Sequence, residues 1–171
     1  MAERQTGSAL FYGDAVTATG STQLYPLGTR REEEGKTYRY IKYSNGAVSA
    51  VSGGLCGQKS PSDTVTEPTA WEVTCDISAS HPDLVVGLLK SAPADGAFGW
   101  IQTAGVARLI SNSDGNISKG DPLVWEAASD AGDCDQASNG TTERVCAIAA
   151  QDDDSTGATN PEQVYVLLIL E

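Results

Sequence analysis

The chain has 171 residues, the length of one domain, with 11 basic and 23 acidic side chains and a net charge of −12. That acidity argues against a nucleic-acid grip, which needs clustered Lys and Arg; no apolar run reaches the roughly 20 residues of a membrane helix; and Met1 to Thr6 lead into no apolar segment, so no signal peptide is expected. Leu, Ile, Val and Phe together make only 33 residues, close to a disordered composition, but just 20% of side chains are charged and the apolar ones cluster in short alternating runs.

Residues 1–22 are rich in Ala, Thr, Gly and Ser and read as an extended N-terminal arm. Their one apolar cluster, Leu10, Phe11 and Tyr12, is a candidate anchor that orders on a partner. Residues 23–171 read as one β-rich domain. Leu24 to Gly28 resembles a short edge strand ended by Pro26 and Gly28. Lys36 to Tyr43 has strand composition, followed by a turn signal at Ser44-Asn45-Gly46. Tyr38 and Tyr40 share one face of that strand, which suits cross-strand packing better than base stacking beside Glu32, Glu33 and Glu34.

Trp71 to Ile77 alternates apolar and polar residues, as a half-buried strand does. Leu84 to Leu89 is a short apolar run. Phe98 to Thr103 and Val106 to Ile110 read as two strands separated by Ala104 and Gly105. Asn112 to Asn116 is a turn signal. Pro122 to Trp125, Arg144 to Ala149 and Gln163 to Leu170 complete the series. The near-continuous apolar run from Val164 to Leu170 predicts a central strand buried on both faces. No segment carries a capped 3.6-residue apolar period. The pattern therefore predicts an all-β fold, a single compact β-barrel or β-sandwich.

Charge is uneven along the chain. Residues 1–109 are net −2 and residues 110–171 net −10, which reads as a solvated acidic face. Five of the 11 bases lie between Arg30 and Lys42. Arg30, Arg31, Arg39 and Lys42 are accordingly candidate contacts to an acidic partner surface.

Motifs for catalysis are sparse. His81 is the single histidine, so a hydrolase would have to use it, in the Pro-containing loop Ser80-His81-Pro82-Asp83. No nucleophile elbow, Walker loop or dinucleotide fingerprint occurs. Asp152-Asp153-Asp154-Ser155-Thr156-Gly157 resembles the opening of a calcium loop, but Gln163 stands where the bidentate Glu belongs. No metal, no cofactor and no enzymatic activity are expected. Cys56, Cys75, Cys134 and Cys146 contain no C-x-x-C pair, which argues against zinc. Free, buried thiols are expected without a secretion signal; if oxidised, the sequence-local pairs 56–75 and 134–146 are the simplest.

Three segments carry a resemblance. Tyr25-Pro-Leu-Gly-Thr-Arg-Arg-Glu-Glu-Glu-Gly-Lys-Thr-Tyr-Arg-Tyr-Ile-Lys-Tyr43 resembles the opening of small head proteins of tailed bacteriophages. Gly99 to Gly105, Lys119 to Val124 and the closing Val164 to Ile169 are similar to segments of capsid decoration (cement) proteins. Together these span about residues 24–48, 98–125 and 144–170. The four cysteines and the acidic stretch Asp130 to Asp135 depart from that pattern. The resemblance implies a β-tulip-like body that binds the major capsid protein on the virion exterior after synthesis in the host cytoplasm. It also implies a homo-oligomer, a trimer at threefold positions, with no nucleic-acid or membrane partner. A head-fibre, tail or host- or carbohydrate-binding β-domain is the alternative; Trp71, Trp100 and Trp125 would then be exposed ring platforms.

Overall fold

A computed structural model describes residues 14–45, 48–59, 71–76, 85–111, 117–125, 132–137, 144–152 and 162–170. These residues contain ten strands and no helix: β1 (Arg30–Glu33), β2 (Lys36–Tyr43), β3 (Leu55–Gln58), β4 (Glu72–Thr74), β5 (Val85–Leu89), β6 (Phe98–Ser111), β7 (Pro122–Trp125), β8 (Cys134–Gln136), β9 (Ala147–Ala149) and β10 (Glu162–Ile169). The fold is all-β. Pairing runs β2–β4–β3–β5–β6 and returns from β6 to β2, which closes a five-stranded barrel. The remaining strands, β10, β9, β7 and β8, extend from the far half of β6, and the bridge between Ser111 and Cys134 brings β8 back to it. β1 is an outer strand that, among the described residues, pairs only with β2.

One strand serves both halves. β6 is 14 residues long; Phe98 to Ala104 pair with β2, and Ala104 to Ser111 pair with β10. The sequence pattern reads as two strands because Ala104 and Gly105 interrupt it. The backbone instead passes through Gly105 at φ +91°, where a Cβ would lie 2.7 Å from the Gly35 carbonyl oxygen, so only glycine fits without strain. The fully buried Gln102 side chain spans the bend. Its amide donates to the carbonyls of Ala104 (3.1 Å) and Val106 (3.0 Å) on either side of Gly105.

Leu24 to Gly28 is not a strand. Thr29 N donates to Pro26 O at 3.1 Å, and Gly28 at φ +80° is pressed against the Trp71 indole, closing a turn that feeds β1. β1 itself, Arg-Arg-Glu-Glu, is mostly exposed and has no apolar period to betray it. β3 and β8 are likewise unmarked in the sequence, being three or four residues rich in small or polar types. The expected strand Trp71 to Ile77 contracts to Glu72–Thr74, with Ile77 outside the described residues.

Three clusters of buried side chains hold the structure. Ile41, Tyr43, Cys56, Val73, Cys75, Leu89 and Ile101 fill the barrel. Leu55, Val85 and Leu88 belong instead to a second, larger cluster with Leu109, Leu123, Trp125, Val166 and Leu168, joining the barrel to the outer strands. On the other face of β2, Tyr38, Tyr40 and Trp100 form a third cluster, covered by Val16, Tyr25 and Leu27. Tyr40 meets Tyr25 and Trp100 edge-on, each at 5.1 Å, and stacks on Phe98 at 6.1 Å. Each fully buried large apolar side chain stabilises by roughly 1.5–3 kcal/mol.

The aromatic cluster depends on residues 14–27. Tyr25 Oη donates to Asp14 Oδ2 (2.9 Å), Arg31 donates to Asp14 O (2.6 Å), and Gly20 and Phe98 exchange backbone hydrogen bonds. Residues 14–22, assigned to the arm by composition, thus lie against the barrel. Leu10, Phe11 and Tyr12 lie outside the described residues.

Candidate functional site

Antiparallel strands with one solvated face ordinarily alternate apolar inward with polar outward. β10 breaks this rule on its outward side. Val166 and Leu168 point into the core at 0% and 2% exposure, whereas Tyr165, Leu167 and Ile169 are 44–47% exposed. The expectation that this strand is buried on both faces is therefore corrected. It is central, flanked by β6 and β9, but only its inward face is covered.

Register extends the outward row across neighbouring strands. Leu167 stands opposite Val106 of β6 and Ile148 of β9; Ile169 stands opposite Ala104; Tyr165 stands opposite Arg108. Directly paired residues share a face. The Arg108 guanidinium lies over the Tyr165 ring at 5.4 Å, so the one cation here covers an aromatic surface. Five large apolar side chains are strongly exposed among the described residues, and four of them, Val106, Tyr165, Leu167 and Ile169, belong to this face. No carboxylate occupies these outward positions. Scattered apolar residues are ordinary on a surface; a contiguous row is the mark of an interaction site.

The four bases proposed as partner contacts are engaged within the chain. Arg31 is the most deeply committed. Its side chain is 14% exposed, pairs with Glu33 at 2.9 Å, and lies 6.0 Å from the Trp100 ring. Arg39 donates to Gly28 O at 3.1 Å and stacks over Trp71 at 5.3 Å. Lys42 faces Glu72 at 3.8 Å. Arg30 pairs with Glu32 at 2.9 Å, both largely exposed, so that pair contributes little.

All four cysteines are buried, and none is joined in a disulfide. Burial pushes the Cys75 thiol up to about 11 and the Cys146 thiol up to about 12, and raises Cys56 as well. Such thiols are poor nucleophiles. Cys56 and Cys146 donate instead to backbone carbonyls of Gly87 and Leu123, each at 3.3 Å. Asp152, the first residue of the calcium-like motif, accepts from Lys119 N at 2.7 Å. His81 lies outside the described residues, as do Asp153 to Gly157.

Compared with known proteins, the chain matches no family model, and no curated protein matches it. The surfaces themselves carry the functional reading.

Sequence reasoning overlooked the outward row because an apolar run has the same appearance whether its second face meets the chain's own core or a partner. One signal was available. Tyr165, Leu167 and Ile169 alternate with Val164, Val166 and Leu168, so a second apolar face existed to be assigned. It also overlooked Arg144, which stands alone in an acidic stretch yet folds beside Arg30 and Arg39 around a cavity of about 290 Å³.

Proposed function

We propose that the chain is a structural virion protein that binds the outside of a tailed-phage capsid and stabilises the assembled shell, acting by binding and not by catalysis. The observation that carries this reading is the outward face of β6 and β10, with Val106, Tyr165, Leu167 and Ile169 exposed in one row. On a chain of net charge −12, a row free of carboxylates is the surface best able to approach another protein.

The segments that resemble decoration proteins support the same reading. Gly99 to Gly105 spans the barrel half of β6 up to its bend, Val164 to Ile169 lies within β10, and Lys119 to Val124 is the turn into β7 with the first three residues of that strand. The partner proposed is the major capsid protein, with the chain arranged as trimers at threefold positions. Repeated modest contacts at symmetric sites give high avidity, and binding only the assembled state stabilises it by mass action. The carbohydrate-binding alternative is weakened because Trp100 and Trp125 are each 1% exposed and offer no ring to a sugar.

The test mixes the purified chain with empty expanded heads assembled from the capsid protein encoded in the same genome. Co-sedimentation with the heads and a raised head melting temperature are expected. A chain that stays in the supernatant and leaves head melting unchanged would overturn the proposal.

A further inference from the structure

Two neighbouring arginines and one distant in sequence line one cavity. Arg30 of β1, Arg39 of β2 and Arg144, just before β9, line a space of about 290 Å³ together with Trp71, Val85, Val86, Thr103 and Leu170 among the described residues. Six arginines and five lysines are present in the whole chain, against 23 acids, so this is a local reversal of the molecule's charge. Arg30 and Arg39 are direct partners in the β1–β2 register. Like charges directly opposed across two strands repel; Glu32, 2.9 Å from Arg30, offsets part of that repulsion, and a ligand carboxylate between the two guanidiniums adds to that offset.

The arginines are held in place. The Arg39 guanidinium stacks on the Trp71 indole at 5.3 Å and donates one N–H to Gly28 O at 3.1 Å. Arg144 donates one N–H to Val85 O at 3.4 Å. A guanidinium carries five N–H donors in a planar fork, and two of them align with the two oxygens of a carboxylate. Trp71 adopts φ +69°, a conformation that a bulky side chain takes only when its surroundings impose it, and its ring rests on Gly28.

The remainder of the wall defines the ligand. Val85, Val86, Leu170 and the Trp71 ring are apolar, and the cavity adjoins a second one of about 220 Å³ that shares Trp71 and Val86 and adds Val73 and Gln58. Sugar hydroxyls need acceptors as well as donors, and the arginine-lined cavity offers no side-chain carboxylate among its described residues. Its one hydroxyl, Thr103 Oγ1, donates to Thr37 O at 3.4 Å. Guanidinium forks beside an apolar wall match a carboxylate on an aliphatic stem.

We infer that the Arg30–Arg39–Arg144 groove binds an acidic peptide segment of a partner protein, with carboxylates on the arginines and intervening apolar side chains against Trp71 and Val86. The groove takes this ligand whether the outward face of β6 and β10 meets a capsid or another partner.

The probe is a capped hexapeptide of alternating glutamate and leucine, titrated into the full chain while tryptophan emission is followed. Trp100 and Trp125 are buried, so the emission change reports Trp71. Saturable binding is expected, weakened about tenfold or more by Arg30→Gln or by Arg144→Gln and unchanged by Arg108→Gln, which does not line the cavity. Circular dichroism melting of each variant verifies that the fold is retained. Equal binding of a glutamine–leucine peptide would overturn the inference. So would tighter binding of a sulfated oligosaccharide, or wild-type affinity in both arginine variants. Glu171 follows Leu170, so Glu171→Gln is titrated alongside; unchanged affinity supports an external ligand, and a rise of about tenfold would overturn it by showing competition from the chain's own carboxylate.

Discussion

Leu167 stands directly opposite Val106 in the β10–β6 ladder, and the two side chains are 47% and 52% exposed. Cross-strand apolar pairs normally stabilise a sheet by packing beneath a covering layer. This pair is instead continued outward by Tyr165, Ile169 and Ile148. Leaving such a row in water forgoes burial worth roughly 25 cal/mol per Å², which a partner recovers on docking.

Adjacent residues of β10 should therefore respond oppositely to the same substitution. Leu168→Asp places a carboxylate in the core and should cost on the order of 4 kcal/mol or give insoluble protein. Leu167→Asp should melt within a few degrees of the wild type. Thermal melting followed by circular dichroism distinguishes them. Equal melting of the two variants would contradict the assignment of faces.

Gly105→Ala should destabilise more than Gly96→Ala. Both positions have positive φ, +91° and +72°, so both substitutions carry backbone strain of about 1–2 kcal/mol. Only at Gly105 does a Cβ meet neighbouring backbone, 2.7 Å from Gly35 O, whereas Gly96 has open space. The difference between the two unfolding free energies in urea measures that contact. A Gly105→Ala variant as stable as Gly96→Ala would show that the β6 bend is not fixed there.

Stability should decline in alkali. Burial raises the Cys75 thiol to about 11 and the Cys146 thiol to about 12, and it raises the Tyr43 hydroxyl as well. The folded chain thus holds these protons more tightly than the unfolded chain, whose thiols titrate near about 8.5. Their contribution is complete below about pH 8.5 and is lost as pH climbs through the folded values, by up to about 1.4 kcal/mol per unit for each thiol. Melting temperature should be level from about pH 6 to about pH 8 and fall above it, less steeply in a Cys75→Ala, Cys146→Ala double variant. A curve flat to about pH 10.5 would contradict the burial of these thiols.

Truncation should separate the two parts of the N-terminal region. Deleting residues 1–13 should leave melting nearly unchanged, while deletion through residue 22 removes Asp14 from Tyr25 and Arg31, Val16 from the aromatic cluster, and the Gly20–Phe98 bridge. The longer deletion should lower the unfolding free energy by roughly 2–4 kcal/mol. Equal stability of the two truncations would show that residues 14–22 contribute nothing to the body.

Much of the fold was legible because burial alternates along its strands. β2, β5, β7 and β10 emerge from apolar spacing alone, and β6 only as two pieces, because Gln102 and Gly105 join the halves through contacts that no local pattern encodes. β1 escaped because Arg30 to Glu33 is an exposed edge without apolar residues. The pattern left barrel and sandwich open, because closure depends on β2 reaching both β4 and β6. The cluster of bases from Arg30 to Lys42 was visible in the sequence, but the direction each side chain takes was not. Arg31 proves to be internal, and Arg144, which no spacing connects to Arg30, completes the groove.

The central claim is that the outward row of β10 attaches the chain to a capsid. Its most direct measurement is the occupancy of empty expanded heads by wild-type and Leu167→Asp protein at equal free concentration, counted from density in cryo-electron micrographs. The account predicts near-full decoration by the wild type and a loss of about tenfold or more in apparent affinity for the folded variant, since a carboxylate would be buried unpaired at the contact. Undiminished decoration by folded Leu167→Asp protein would contradict it.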